Sequence, residues 1–427
     1  MFAIAALLVT ALPAPLDTYL KGAANHNRTL QISRAQLDEQ YAQVTQAISG
    51  LTPTLQATGQ YIRNQYNGAL PLPNAFFGSS LPGTTTIEIQ PYDQLQATIS
   101  LNVPLIEPTA IAKLAGQKHA AAGAEQATLA SVLDVQLSVA QTYYQIIAAQ
   151  GVLAAANHSL KTAQDALAIS QRKYEAGTAN KLTVDRALVD VARSQQTVAD
   201  AQRALGVARR SLETLSGMPV PGDLPAVEEG SLPSQGEDFF VDAAVRQRPE
   251  VAQVRESIAV ASAARSAAWA LLAPSLLGQA QEHLANYSGF LGHDGYWTLG
   301  LNLSWTIDPV GTHAALHLAD ATLTEEEARL NQALDTVRDD VHTAWLQVVA
   351  DQSHVEETKA EVASAQEALK LTQEQFAAGT ATSLDLSQAE RDAFTAEANA
   401  AQSASDFASA LLALQKASGT PLMVVEK

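Results

Sequence analysis

The side chains best placed for chemistry in this sequence of 427 residues are His313 and His317. Spaced four apart on a helix, they would put two imidazoles on one face, with Asp320 following one turn on. The Glu of a zincin helix is missing, and two histidines on one turn also arise on any helix surface, so no metal site is expected. The sequence has no phosphate-binding glycine loop, no dinucleotide glycine motif and no G-x-S-x-G elbow. No catalytic residue and no cofactor is expected, and the chain does not read as an enzyme. Tyr143-Tyr144 and Trp345 fall inside long helical runs, where aromatics pack rather than bind. Asp385 stands three residues after Thr382, the spacing of a capping box, although Glu or Gln is the usual fourth residue. Cysteine is absent, which removes disulfides and Cys-based zinc sites. The net charge of −18, with no clustered basic residues, argues against nucleic acid.

These residues sit in a chain that is built twice. Ala163–Ala187 recurs as Ala365–Ala389, offset by 202 residues without a gap, and 11 of 25 positions are identical. The same offset aligns Ser216-Gly217-x-Pro219 with Ser418-Gly419-x-Pro421. Each copy is interrupted once, at Gly177-Thr178-Ala179 and Gly379-Thr380-Ala381. No proline occurs from Thr109 to Met218 or from Val310 to Thr420, and Pro108 and Pro309 precede the two runs. Each half therefore predicts a long helix (109–176 and 310–378), a tight glycine turn and a returning helix (180–216 and 382–417). At the standard rise each long arm measures about 100 Å, far beyond a globular helix. Asn180 and Thr382 suit the N-caps of the returning helices.

Before each long arm comes a helix (Leu16–Leu51, Phe239–Leu272) and then a β-hairpin, expected over 54–106 and 275–307. Gln94–Leu105 alternates strictly, with Leu95, Ala97, Ile99, Leu101, Val103 and Leu105 on one face. Tyr296–Ile307 does the same with Trp297, Leu299, Leu301, Leu303, Trp305 and Ile307. A half-buried sheet over a soluble core would show this pattern. So would a transmembrane barrel strand, and two features favour it: a length of twelve residues, and Trp297 and Trp305 about 26 Å apart at the two ends of one apolar face. Four strands cannot close, and in lipid their edges would be unpaired. A barrel needs further copies: two give eight strands, three give twelve. The first hairpin also carries a Gly/Pro/Ser-rich insert, Asn67–Asp93, expected as an exposed loop.

Phe2–Leu12 is too short to span a bilayer and suits the apolar stretch of a secretory signal, although a basic start is missing, so 1–15 reads as a signal remnant or an ordinary N-terminal segment. No other run is apolar for 18 residues, so a membrane protein here would not be a helical one. The expected organisation is a first repeat at 16–218, a Pro/Gly/acidic linker at 219–238, a second repeat at 239–422 and a tail at 423–427.

A duplicated unit of helix, hairpin, long helix, glycine turn and returning helix resembles the TolC-type outer membrane channel family. The resemblance is carried by Gln171-Arg172-Lys173-Tyr174-Glu175-Ala176-Gly177, by Gln373-Glu374-Gln375-Phe376-Ala377-Ala378-Gly379 and by Leu384-Asp385-Leu386. The strand exits Val103-Pro104-Leu105-Ile106 and Leu303-Ser304-Trp305-Thr306-Ile307 add to it. It implies a mainly α fold with a small β part. Duplicated helical hairpins would form an α-helical barrel, and four strands per chain would join a trimeric twelve-strand transmembrane barrel. It further implies a passive exit duct in the outer membrane of a Gram-negative bacterium, extending into the periplasm. Its partners would be a periplasmic adaptor and an inner-membrane transporter, in a tripartite efflux pump or a type I secretion system. Under that reading Gly177, Thr178, Ala179, Gly379, Thr380 and Ala381 form the adaptor-docking tips and Asp385 the tunnel constriction, where converging copies of its carboxylate would repel one another, rise in pKa and attract cations. Trp297, Leu299, Leu301, Leu303 and Trp305 would face outer membrane lipid. The family's acidic tip position is filled by Asp385, but its first-half equivalent is Thr183 and the following turn has Gln388, so one acidic ring is expected. The alternative from another class is a coiled-coil scaffold without a pore, which strict heptads would favour; the Ala/Gln spacing is looser.

Overall fold

The computed structural model describes residues 14–77, 82–226, 230–287 and 293–423. Most of the 1–15 segment and of the 423–427 tail therefore lies outside the described residues. In chain order the elements are α1 (Ala14–His26), α2 (Arg28–Ser49), β1 (Thr54–Arg63), β2 (Gly68–Pro73), β3 (Thr84–Gln90), β4 (Asp93–Ile106), α3 (Pro108–Glu175) and α4 (Lys181–Ser216). The second half has α5 (Glu237–Gln247), α6 (Pro249–Ala270), β5 (Ser275–Ala285), β6 (Gly295–Ser304), α7 (Pro309–Ala378) and α8 (Ser383–Ala417). A single 3-10 turn, Asn74–Phe77, follows β2.

Three sequence expectations need correction. The sequence predicts a single helix over Leu16–Leu51 and another over its repeat counterpart Phe239–Leu272, and both are broken. Asn27 divides the first: its Oδ1 accepts from the amides of Thr29 and Leu30, capping α2, while its Nδ2 donates to the Leu215 carbonyl. Pro249 divides the second by forcing Arg248 into an extended conformation (φ −64°, ψ 127°) and then serving as the first residue of α6. The insert Asn67–Asp93 is also not a plain loop. Its alternating Thr84–Gln90 segment pairs antiparallel with Gly68–Pro73 as a second, two-stranded sheet.

The chain divides into two units. The first holds residues 1–36, 125–254 and 330–427 and is helical. One of its cores joins Leu16 and Leu20 of α1, Val139, Tyr143 and Ile146 of α3, and Leu212 of α4, all fully buried. Each such leucine contributes about 1.5–3 kcal/mol. Tyr143 stacks edge-on with Tyr144 at 5.5 Å. A second core sets Phe240 of α5 against Trp345 of α7, ring centroids 5.9 Å apart, with Val341, Val348 and Leu414. These aromatics are packing residues. Arg248, buried at the α5–α6 break, is held by Asp340 at 2.6 Å and Glu250 at 3.0 Å.

The second unit holds residues 37–124 and 255–329. Its main sheet is antiparallel, in the order β1-β4-β5-β6. Among the described residues both outer strands, β1 and β6, keep one edge unpaired. His119 contacts Glu256 at 2.8 Å, and Arg265 holds Asp320 at 2.7 Å, joining α3 and α7 respectively to α6.

Candidate functional site

Strand register sorts the main sheet's side chains onto two faces. Leu55 opposes Leu101, Ala57 opposes Ile99, Leu101 opposes Ala280, Ala280 opposes Leu299, and Leu276 opposes Leu303. Directly opposed residues share a face, so one face is predominantly apolar across all four strands; its charged members include Glu282, opposite Ile99 and Trp297, and Arg63 at the end of β1. It is also exposed: Trp297 is 69% accessible, Leu299 and Leu301 72% each, and Leu303 66%. Trp305 lies one residue past β6, which ends at Ser304 rather than at Ile307, and its indole Nε1 donates to the Leu272 carbonyl at 3.1 Å. An indole packed on apolar surface with its N–H satisfied suits a membrane boundary.

The opposite face carries amides and hydroxyls. Gln94 and Gln96 both donate to the Tyr287 hydroxyl, at 2.9 and 2.7 Å, and Gln279 donates to Asn102 at 3.1 Å. His283 lies 3.3 Å from Thr98 Oγ1 and stacks on Tyr296 at 4.9 Å. An exposed apolar face backed by a hydrogen-bonded polar one has no use over a soluble core, where the apolar side would be covered. It is the arrangement of a barrel wall between lipid and an aqueous lumen.

In the helical unit, the two glycine turns share one construction. Gly177 and Gly379 adopt positive φ, 72° and 85°, which glycine alone takes at little cost. The next residue then closes the helix end. Thr178 gives both its amide and its hydroxyl to the Lys173 carbonyl, at 2.9 and 3.0 Å; Thr380 does the same to Gln375, at 3.0 and 3.1 Å. Ala179 and Ala381 add amide bonds to those same carbonyls. Gly177, Thr178, Gly379 and Thr380 are exposed. Ala381 packs against a core of Leu369, Phe376, Leu386 and Ala393, with Ala166 and Ile169 of α3.

Asn180 caps α4 through Thr183, and Thr382 caps α8 in a full capping box. Asp385 Oδ2 accepts from the Thr382 amide at 2.8 Å and its hydroxyl at 2.7 Å, while the Asp385 amide donates back to Thr382 Oγ1. Those hydrogen bonds hold its carboxyl below the usual range. Within one chain the capping role is thus realised, and the rise expected of converging copies is not a property of the single chain.

Two features here escaped the sequence reading: the contact made by Lys173 and the burial of Glu390. Lys173 Nζ donates to the Phe376 carbonyl and sits 4.6 Å from that ring, linking the two turns. Glu390 of α8 is buried among the returning helices, and burial, reinforced by Asp190 and opposed by Arg391, pushes its carboxyl up to about 7. Both are places where the repeat breaks its own pattern: Lys173 answers Gln375, and Glu390 answers Leu188.

The His313 and His317 rings lie 4.5 Å apart, but Asp320 is engaged by Arg265. Among the described residues no group of three or more His, Cys, Asp or Glu could hold a metal, and no helix is long and apolar enough to cross a membrane.

The sequence pattern of the family described as "Outer membrane efflux protein" matches residues 20–218 and 240–420, one stretch for each half of the duplication. The chain belongs to the outer membrane efflux protein family. Among its relatives, Nodulation protein T of Rhizobium leguminosarum bv. trifolii is 22% identical over 420 residues, covering 96% of this chain and 87% of that one. The toluene efflux pump outer membrane protein TtgC of Pseudomonas putida is 22% identical over 387 residues, covering 87% and 76%. Among solved structures, the Campylobacter jejuni CmeC outer membrane channel superposes with a TM-score of 0.78 at 14% identity, covering 95% of this chain and 86% of that one. This outer membrane efflux protein is an exit duct of the Gram-negative outer membrane that reaches into the periplasm, and it is not an enzyme. Membership removes the scaffold alternative.

Proposed function

We propose that three copies of the chain close a twelve-strand barrel and continue it as a helical tunnel. This conduit would be joined end-on by a periplasmic adaptor and, through it, by an inner-membrane transporter that supplies the energy. The observation that carries this is the four-strand sheet: apolar and exposed on one face, polar on the other, with an unpaired edge at β1 and at β6. A sheet in lipid cannot leave edges open, and an even-stranded closure from copies satisfies them. In this reading Trp297, Leu299, Leu301, Leu303 and Trp305 face lipid, and the polar face lines the lumen.

The turns Gly177-Thr178-Ala179 and Gly379-Thr380-Ala381 dock the adaptor. What supports this is their make-up: exposed, with every donor of Thr178 and Thr380 already used inside the turn, so they are rigid before a partner arrives. Three copies of Asp385 form the constriction. Efflux of small molecules and secretion of polypeptides would use the same conduit. The chain has no cysteine of its own, so Thr178→Cys or Thr380→Cys supplies a single thiol. In cells expressing the adaptor, either should crosslink to it. Crosslinks confined to mid-helix positions of α3 or α7 would reject the turns as the docking site.

A further inference from the structure

Glu390 is 92% buried, with 8% of its surface accessible, and its Oε1 finds no hydrogen-bond partner among the described residues. It lies on the α8 stripe that carries Leu386 and Ala393, spaced by four and three residues. The faces of α3 and α7 that cover this stripe present Ala166, Ile169, Ala365, Leu369 and Phe376, all apolar, with Lys173 at its turn end engaged by Phe376. The charged groups acting on Glu390 are Asp190 of α4 and Arg391 of its own helix.

Arg391 is directed elsewhere: it donates to Ser387 Oγ at 3.0 Å and to Gln388 Oε1 at 2.9 Å. Ser387 Oγ in turn donates to Asp190 Oδ1 at 3.2 Å, which is how α8 holds α4 at this level. Arg193 stands 3.9 Å from Asp190. Beside this seam is an open cavity of about 370 Å³, lined among others by Asp190, Arg193, Ser387 and Arg391.

We propose that Glu390 and Asp190 form a proton-operated latch between the returning helices α4 and α8. With Glu390 protonated, Asp190 is the charged carboxylate at the seam, held by Ser387 and faced by Arg193, while Arg391 is turned to Ser387 and Gln388, and the seam stays closed. When Glu390 ionises, a second carboxylate charge appears in a buried site, repelled by Asp190, and α8 moves away from α4, letting water from the adjoining cavity reach Glu390 as it already reaches Asp190. The direction follows from linkage. Burial raises the Glu390 carboxyl above its ordinary value of 4.5, to about 7, so the packed seam holds a proton that the parted seam releases. Closure is strongest below about pH 4.5 and weakens as pH rises through about 7. A duct so built opens more readily on the alkaline side of neutrality. The proposal rests on the exit-duct reading only in its conductance arm.

The test has two arms, both on the full chain purified in detergent. In planar bilayers, conductance of the wild type should rise by roughly fivefold or more between pH 5.5 and 8.5. Glu390→Gln, neutral at every pH, should stay low and flat. Asp190→Asn should flatten the rise, since the charge that repels ionised Glu390 is gone. A Glu390→Gln channel with the wild-type pH profile, or a wild type with no pH dependence, overturns the latch. The second arm needs no channel and no variant. Hydrogen exchange of residues 383–393 in the wild type, corrected for intrinsic rates, should speed up at pH 8.5 relative to 5.5 while α5 does not change. Unchanged protection of 383–393 overturns the latch. Increased exchange without conductance in any chain supports the latch and counts against the exit duct instead.

Discussion

Leu301 gives the sharpest test of the barrel wall. It sits opposite Gly278 in the β5–β6 pair, four residues from Trp297 and four from Trp305. At the rise of a strand, four residues span about 13 Å, which puts Leu301 midway through a belt-to-belt height of about 26 Å. That height matches the roughly 25 Å apolar band of outer membrane barrels. Leu301→Arg should therefore cost about 2–4 kcal/mol per chain, or roughly 6–12 kcal/mol for a ring of three. The structure supplies its own control. Leu301 is 72% accessible in the isolated chain, and in water a substitution at such a site changes stability by about 0.5 kcal/mol or less. Asn302, the next residue, lies on the polar face, and Asn302→Arg should be nearly neutral. The assay is yield of the heat-modifiable oligomer from outer membranes, followed by urea unfolding of the folded fraction in lipid vesicles. Equal tolerance of Leu301→Arg and Asn302→Arg would mean that neither face meets lipid and would refute the barrel assignment.

Two further outcomes are expected. Asp385→Ala should weaken cation selectivity and block by multivalent cations with little loss of folded oligomer, while Thr183→Ala leaves selectivity unchanged; unaltered conductance in Asp385→Ala would leave Asp385 as a helix cap alone. Arg248→Met removes a buried charge and leaves Glu250 and Asp340, both partly exposed, without their partner; it should destabilise the fold by roughly 1 kcal/mol in denaturant melts at pH 7. Burial, the largest influence, tends to raise the Glu250 carboxyl, but the Arg248 hydrogen bond, a backbone hydrogen bond and the charges of Arg248 and Lys416 together outweigh it, and the net shift is downward from 4.5. The stabilisation is therefore complete above about pH 4.5 and lost as pH falls below it, and Arg248→Met should flatten that acid-side slope.

The parts legible in the sequence are those that one local rule decides. Gly177 and Gly379 end helices because their φ is positive, and a helix of 68 residues (α3) or 70 (α7) follows from long runs without proline. The faces of β4 and β6 follow from period-two alternation. What was not legible depends on partners distant in sequence. Asn27 breaks a helix because its side chain also reaches Leu215, 188 residues away. The Lys173–Phe376 link spans 203 residues. Pro249 is different: it stands in the sequence and its effect on the preceding residue is local, yet reading Phe239–Leu272 as the repeat counterpart of Leu16–Leu51, which has no proline, passes over the break. The Thr84–Gln90 strand was masked by the glycines and prolines around it. Within the helical site, the most informative signal was asymmetry. Where two copies of a repeat agree, they report the fold, and where Glu390 replaces Leu188 or Lys173 replaces Gln375, they mark contacts that only one copy makes.

The unpaired edges of β1 and β6 also have a genetic consequence. Each chain needs its neighbours before its strands are satisfied, so in the proposed ring a defective copy is not silently diluted by good ones. Where a wild-type and a Leu301→Arg allele are expressed equally and mix at random, only about one ring in eight is free of the defective chain. The variant should therefore behave as a dominant poison, and the severity of the phenotype should follow the cube of the wild-type fraction.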